Sequence, residues 1–175
     1  PFKGGFVGVD VFFVISGYLI TLIILKELDL KTFSLVKYYE RRSRRILPVL
    51  FFVMIVAMPF AVMFMTPDSL IEFGQSLIAS TLFSSNFLFY KLGGYAAQPN
   101  ALKPLLHTWS LSVEEQFYLI YPGSLYLLWK YFRNFVLQFL FLGLIVSLLL
   151  AQWAVKNHPD AAFYLFPNRA WELLI

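Results

Sequence analysis

Cysteine is absent from the 175 residues, which excludes a disulfide framework, a thiolate nucleophile and any Cys-based metal site within this chain. Histidine is almost absent. His107 and His158 stand alone, without an HExxH-type spacing, so no metal centre is expected. No Gly-x-Ser-x-Gly occurs either, so a hydrolase-type nucleophile elbow is excluded. Charge is scarce as well. Only 14% of the residues are Asp, Glu, Lys or Arg, against about 25% in an average soluble domain. A soluble globule, a disordered tail and a nucleic-acid-binding module all need more polarity than this. In their place stand 59% hydrophobic residues, 20 Phe and 10 Tyr, with a mean hydropathy of +0.70. The sequence reads as a membrane protein.

A helix needs about 20 mostly apolar residues to cross the hydrocarbon core. Residues 46–65 meet that length without a charge, with Pro48 expected in the first turn and Pro59 as an interior kink. Residues 134–155 are a second such span, and residues 6–25 a third that carries Asp10 near its start. A fourth, 109–129, carries Glu114 and Glu115, and 169–175 reads as the opening of a fifth. Residues 69–90 mix aromatics with Ser69, Glu72, Gln75, Ser76, Ser80, Ser84, Ser85 and Asn86; this segment dips in and returns, or crosses within the bundle. The stretch 91–108 has the Gly-Gly and Pro signals of irregular chain. The fold class is all-α, a polytopic transmembrane helical bundle of four to five segments plus the 69–90 excursion. The chain starts at Pro1 rather than Met and ends at Ile175 inside an apolar run. Residues 1–175 are therefore expected to be one integral-membrane domain cut at both ends.

The net charge of +4 is concentrated in 26–45, which reads as one loop with Lys26, Lys31, Lys37, Arg41, Arg42, Arg44 and Arg45 against Glu27, Asp29 and Glu40. The positive-inside rule places that loop in the cytoplasm, so 6–25 runs inward and 46–65 outward. Lys130 and Arg133 after the fourth span also favour the cytoplasm, which holds if 69–90 makes no net crossing.

Polar groups inside spans are the informative ones, because a charge at mid-bilayer costs about 2.5–3.5 kcal/mol on insertion scales. Asp10, Gly17 and Thr21 form a narrow stripe on one helix face. Gly4, Gly5, Gly8 and Gly17 read first as sites of close helix packing. Ser110, Glu114 and Tyr118 fall at i, i+4 and i+8, with Tyr121 close behind, so hydroxyls flank a carboxylate. A carboxylate among aromatics suits proton transfer; the alternative is an intramembrane ion pair that only fixes the bundle. Arg42 and Arg45, at i and i+3, belong to a topogenic cluster or to a phosphate-binding pair, since guanidinium forks match phosphate oxygens. His107 reads as a structural hydrogen-bonding residue and His158 as an ordinary loop residue.

Three blocks resemble membrane acyltransferase family 3: GGFVGVDVFFVISGYLIT at Gly4–Thr21, YYERRSRRILPVL at Tyr38–Leu50, and LKPLLHTWSLSVEEQFYLIYP at Leu102–Pro122. The tail FYLFPNRAWELL at Phe163–Leu174 is similar to the next landmark of that family. The variety most resembled is the bacterial O-acetylase type that modifies lipopolysaccharide O-antigen, peptidoglycan or other envelope glycans. The resemblance implies acyl transfer, usually acetyl from cytoplasmic acetyl-CoA, to a carbohydrate hydroxyl beyond the inner membrane. Acetyl-CoA is then a donor substrate and no cofactor is held permanently. The implied partners are acyl-CoA, an envelope glycan acceptor and the lipid bilayer, with no nucleic acid, in a multi-pass protein of the bacterial inner membrane.

Residue by residue, the Arg-x-x-Arg element falls on Arg42 and Arg45, and implies CoA-side phosphate recognition. The Trp-Ser-Leu-x-x-Glu-x-x-Phe-Tyr element falls on Trp109, Ser110, Leu111, Glu114, Phe117 and Tyr118. The Gly-x-Asp-x-Phe-Phe-x-x-Ser-Gly element falls on Gly8, Asp10, Phe12, Phe13, Ser16 and Gly17, and Arg-x-Trp-Glu-Leu on Arg169, Trp171, Glu172 and Leu173. Glu114 and Asp10 are implied as supporting groups of the catalytic site, and Trp109, Ser110, Tyr118, Arg169 and Glu172 as groups that shape it. The family's catalytic His belongs to a helix just upstream of this Gly-rich entry, so the chain is expected to lack it and to be inactive by itself. The rival readings are a transporter or channel with intramembrane carboxylates, a non-catalytic scaffold, and transfer of succinyl or a longer acyl group.

Overall fold

The computed structural model describes residues 7–92 and 103–175. These form helices and turns, with no strand among the described residues: α1 Val7–Asp29, α2 Leu35–Phe64, α3 Pro67–Thr81, α4 Ser85–Lys91, α5 Thr108–Phe132, a 3-10 turn Arg133–Phe135, α6 Val136–Asn157, α7 Pro159–Tyr164 and α8 Phe166–Leu174. The all-α expectation is met. Val7–Asp29, Leu35–Phe64 and the 50-residue stretch Thr108–Asn157 are long and apolar enough to cross a membrane. The last is broken where Phe132 leaves helical geometry (φ −136°, ψ 41°), giving helices of 25 and 22 residues. Gly4, Gly5 and most of the 91–108 stretch lie outside the described residues. The chain forms two compact units, Pro1–Leu35 with Glu114–Ile175, and Val36–Val113.

In the first unit, α1 buries Phe13, Gly17, Ile20, Ile24 and Leu28, residues spaced three or four apart and so on one face. Thr21 meets Tyr121 of α5 at 2.7 Å, and Asp29 at the end of α1 meets Arg133 just past α5 at 2.9 Å. Both numbers rise together along the two helices. α1 and α5 therefore run parallel and bring their C-terminal ends to the same side. That is the direction the basic residues after each helix call for. Among the described residues between these helices, α2 at 30 residues reaches the length of a crossing, and α3 and α4 have 15 and 7.

α8 also runs alongside α1, because Asp10 pairs with Arg169 and Gly17 abuts Leu173. A Cβ built on Gly17 would lie 1.9 Å from the Leu173 carbonyl oxygen. The two backbones touch there, which only a glycine permits. Gly8 meets nothing within 4 Å, so of the described glycines expected to serve packing in α1, Gly17 alone does so. On α6, Gly143 and Ser147 present small residues to α8.

Two sequence expectations need correction in the second unit. The 26–45 stretch is not a loop. Only residues 30–34 separate α1 from α2, and all four clustered arginines ride on α2. Arg, Lys and Glu are good helix formers, and the Glu40–Arg44 pair at 2.8 Å adds i,i+4 support. Pro48 consequently sits deep in α2, not in its first turn, and removes the donor for the Arg44 carbonyl. The core of this unit joins Leu50, Met54 and Ala61 of α2 to Phe73 of α3 and to Leu105, with Leu70, Leu77, Phe83 and Leu111 packed around them.

The polar face of 69–90 turns inward. Ser76, Ser80, Ser85 and Asn86 are buried, as is Ser112. Ser80 meets Thr108 at 2.8 Å, Thr108 reaches Ser85 at 3.0 Å, and Ser85 meets Ser112 at 2.7 Å. These hydroxyls tie α3 and α4 to the opening turn of α5, since hydrogen bonds and close packing, more than apolar burial, hold helices together in a membrane.

Candidate functional site

α8 places Arg169 and Glu172 one turn apart on one face, and α1 brings Asp10 to them. Arg169 Nη2 donates to Asp10 Oδ1 and lies 3.0 Å from Glu172 Oε2. The side chains of Arg169 and Glu172 are 12% and 3% exposed, whereas Asp10 is 40% exposed. The cluster is thus closed at Glu172 and open at Asp10. Phe13 and Phe163 present their rings at 5.5 and 5.8 Å from the guanidinium, an arrangement that favours a cation. One arginine serves two carboxylates, so its removal leaves two like charges facing each other. Arg169→Met is expected to destabilise the protein by about 3–5 kcal/mol, the usual cost of breaking a buried pair. Thermal unfolding of the detergent-solubilised protein measures it, and adding Asp10→Asn with Glu172→Gln is expected to restore most of the loss.

α5 carries the second polar centre. The Tyr118 hydroxyl donates to Glu114 Oε1, one turn earlier, and both residues are buried. Thr21 gives its only hydroxyl proton to the Gly17 carbonyl at 2.8 Å, so Tyr121 is the donor in the 2.7 Å contact with Thr21 Oγ1. Phe117 stacks on Tyr121 with ring centroids 4.4 Å apart, and stands 6.3 Å from Phe166 of α8. These contacts fix the rotation of α5 beside α1 and α8, and with it the direction of Glu114. The face expected around Glu114 is therefore half realised. Tyr118 bonds to the carboxylate, whereas the Ser110 hydroxyl donates to the His107 carbonyl at 3.0 Å and caps the turn that opens α5.

The stripe Asp10, Gly17 and Thr21 is one working face of α1: its members meet Arg169, Leu173 and Tyr121 in turn. Trp109 is buried and Ser110 half-buried in the second unit. Arg42 is partly exposed and Arg45 exposed, in the N-terminal half of α2. His107 is an exposed residue in a turn, and His158 lies beside the Trp153 ring at 5.8 Å. Among the described residues no three His, Cys, Asp or Glu side chains converge as a metal site would require. Ser147 and the donor role of Tyr121 carry no signal in the sequence. Ser147 looks like any small residue in an apolar run, and only the contact with α8 distinguishes it.

The model of the family described as "Acyltransferase domain" matches residues 4–175. O-acetyltransferase OatA of Staphylococcus aureus (strain NCTC 8325 / PS 47) is 36% identical over 148 residues, covering 83% of this chain and 24% of the relative. Peptidoglycan O-acetyltransferase OatA of Listeria monocytogenes is 36% identical over 181 residues, covering 98% of this chain and 28% of the relative. An uncharacterized protein of Haemophilus influenzae is 35% identical over 173 residues, covering 95% of this chain and 71% of the relative. The chain thus spans about a quarter of the length of the OatA relatives. No solved structure matches it.

Proposed function

Because the chain belongs to the acyltransferase domain family, we propose that it is part of a multi-pass inner-membrane O-acyltransferase that moves an acetyl group from acetyl-CoA to a hydroxyl of a cell-envelope carbohydrate, peptidoglycan or O-antigen. The names of two relatives, O-acetyltransferase and peptidoglycan O-acetyltransferase, support the acetyl group and a glycan acceptor. The observation that carries the reading is the buried Glu114–Tyr118 pair in a helix otherwise fit for the membrane. A carboxylate is expensive in such a place and is seldom kept without a task.

In the transfer the acceptor hydroxyl oxygen attacks the thioester carbonyl, the C–S bond breaks, and CoA leaves as the thiolate. The hydroxyl proton must go to a base, and the thiolate gains one from the surroundings. Glu114, oriented by Tyr118, holds or passes that proton in support of the histidine that the family resemblance expects upstream of Gly4. Asp10, exposed beside Arg169, polarises the acceptor hydroxyl. Trp109, Ser110, Arg169 and Glu172 shape the surroundings. On the donor side Arg42 and Arg45, one turn apart on α2, hold CoA phosphates through charge-assisted hydrogen bonds.

The test uses the full-length protein in inverted membrane vesicles supplied with acetyl-labelled acetyl-CoA, beside an Arg42→Ala/Arg45→Ala double variant shown to insert normally. Label is expected to enter glycan. In the double variant the KM for acetyl-CoA is expected to rise about 10- to 100-fold, the scale of losing one or two charged hydrogen bonds. An unchanged KM returns the cluster to a purely topogenic role. No transfer from acetyl, succinyl or longer acyl donors overturns the enzyme reading in favour of a proton or solute path past Glu114 and Asp10.

A further inference from the structure

We propose that Ser147 of α6 is a positioning residue that holds α8 in the register at which Arg169 meets Asp10; its part in catalysis rests on the acyltransferase reading above. The Ser147 hydroxyl uses both of its capacities on α8. Its oxygen accepts the Trp171 backbone N–H at 2.9 Å, and its proton goes to the Pro167 carbonyl at 2.6 Å. Ser147 is buried, at 5% exposure, in a helix suited to the membrane, where water is not at hand to replace it.

Pro167 and Trp171 are four residues apart, and Arg169 lies midway between them. At about 100° per residue the first two share a face, and Arg169 points to the far side of α8. One hydroxyl thus grips the face opposite the one that carries the guanidinium. On the α1 side Asp10 and Gly17 meet Arg169 and Leu173. The rotation of a nine-residue helix is set from two sides at once. A hydroxyl that both accepts from an N–H and donates to a carbonyl fixes rotation about the helix axis, because neither contact survives a turn of α8. Gly143, one turn before Ser147, faces the Leu174 side chain, which a Cβ there would meet at an ordinary contact distance of 3.5 Å. Threonine preserves the hydroxyl and alanine removes it with little change in volume. Those two substitutions separate the hydrogen bonds from the packing.

The experiment compares full-length wild type, Ser147→Ala and Ser147→Thr by amide hydrogen exchange over residues 165–175, and by transfer kinetics. Exchange at Trp171 is expected to speed up about tenfold in Ser147→Ala, the scale of one lost hydrogen bond, and to return toward wild type in Ser147→Thr. The alanine variant is also expected to lose about tenfold in kcat with an unchanged KM for acetyl-CoA. In an Asp10→Ala background, which removes the acceptor of the Arg169 contact, the same substitution is expected to lower kcat little further. Unchanged exchange overturns the proposal, as does faster exchange with unaltered kcat. A wild type without transfer overturns the acyltransferase reading instead, and the exchange comparison still decides for or against Ser147.

Discussion

Replacing Glu114 by Gln in the full-length protein is expected to lower acyl transfer by about two to four orders of magnitude, the range for a group that handles a proton in the transition state. The substitution is nearly isosteric and leaves an oxygen to accept the Tyr118 hydroxyl, so α5 keeps its buried contact. What it removes is the site where a proton can rest. A bundle-fixing role predicts the opposite pattern, in which glutamine folds and works while alanine fails. Tyr118→Phe supplies the internal scale: it leaves the carboxylate but frees its orientation, and is expected to cost less than Glu114→Gln. The readout is transfer of label in vesicles containing equal amounts of inserted protein. Full activity in Glu114→Gln would reduce the residue to a structural one.

Gly17→Val is expected to prevent assembly of the first unit. The Leu173 carbonyl oxygen stands 1.9 Å from where even a Cβ would lie, and the obstacle is backbone rather than a side chain that can swing away. Overpacking a core costs about 1–3 kcal/mol where neighbours can shift, and here α8 itself must move. It would carry Arg169 away from Asp10 and break the ionic cluster as well. Gly8→Ala is the matched control. With nothing within 4 Å of its Cβ, it is expected to be neutral or to gain up to about 1 kcal/mol of helix propensity. Size-exclusion profiles of the solubilised proteins, taken across a temperature series, distinguish the two: loss of the monodisperse peak for Gly17→Val and none for Gly8→Ala.

The membrane-crossing helices were legible because long uncharged runs admit few alternatives, and for the same reason Asp10 and Glu114 stood out within them. Asp10 and, more than a hundred residues further along the chain, Arg169 and Glu172 could be singled out from the sequence. Their union could not, because it depends on α8 running alongside α1. The ends of α1 and α3 were illegible for a local reason. Both close in Schellman turns whose left-handed residue is not glycine: Lys31 with φ 56° and Phe83 with φ 49°. The crossing bonds are Thr32 N–H to Glu27 at 2.9 Å and Ser84 N–H to Ala79 at 2.8 Å. Without a Gly as a stop signal, 69–90 read as one segment, although Phe83 splits it into α3 and α4. The basic stretch failed in the other direction. Its charges suggested a loop, yet arginine and lysine propagate a helix well, and α2 begins ahead of them. Gly8 and Gly17 are alike in sequence, and only the close approach of Leu173 tells them apart.

The central claim is that the full-length protein esterifies an envelope glycan with an acyl group from CoA. It is tested most directly by mass spectrometry of the purified envelope glycan from cells that lack the protein, cells restored with wild type, and cells restored with Glu114→Gln at equal abundance. An alkali-labile acetyl ester present only with the wild type is the predicted result. Glycan of identical mass in all three strains, before and after mild alkali, would contradict the account.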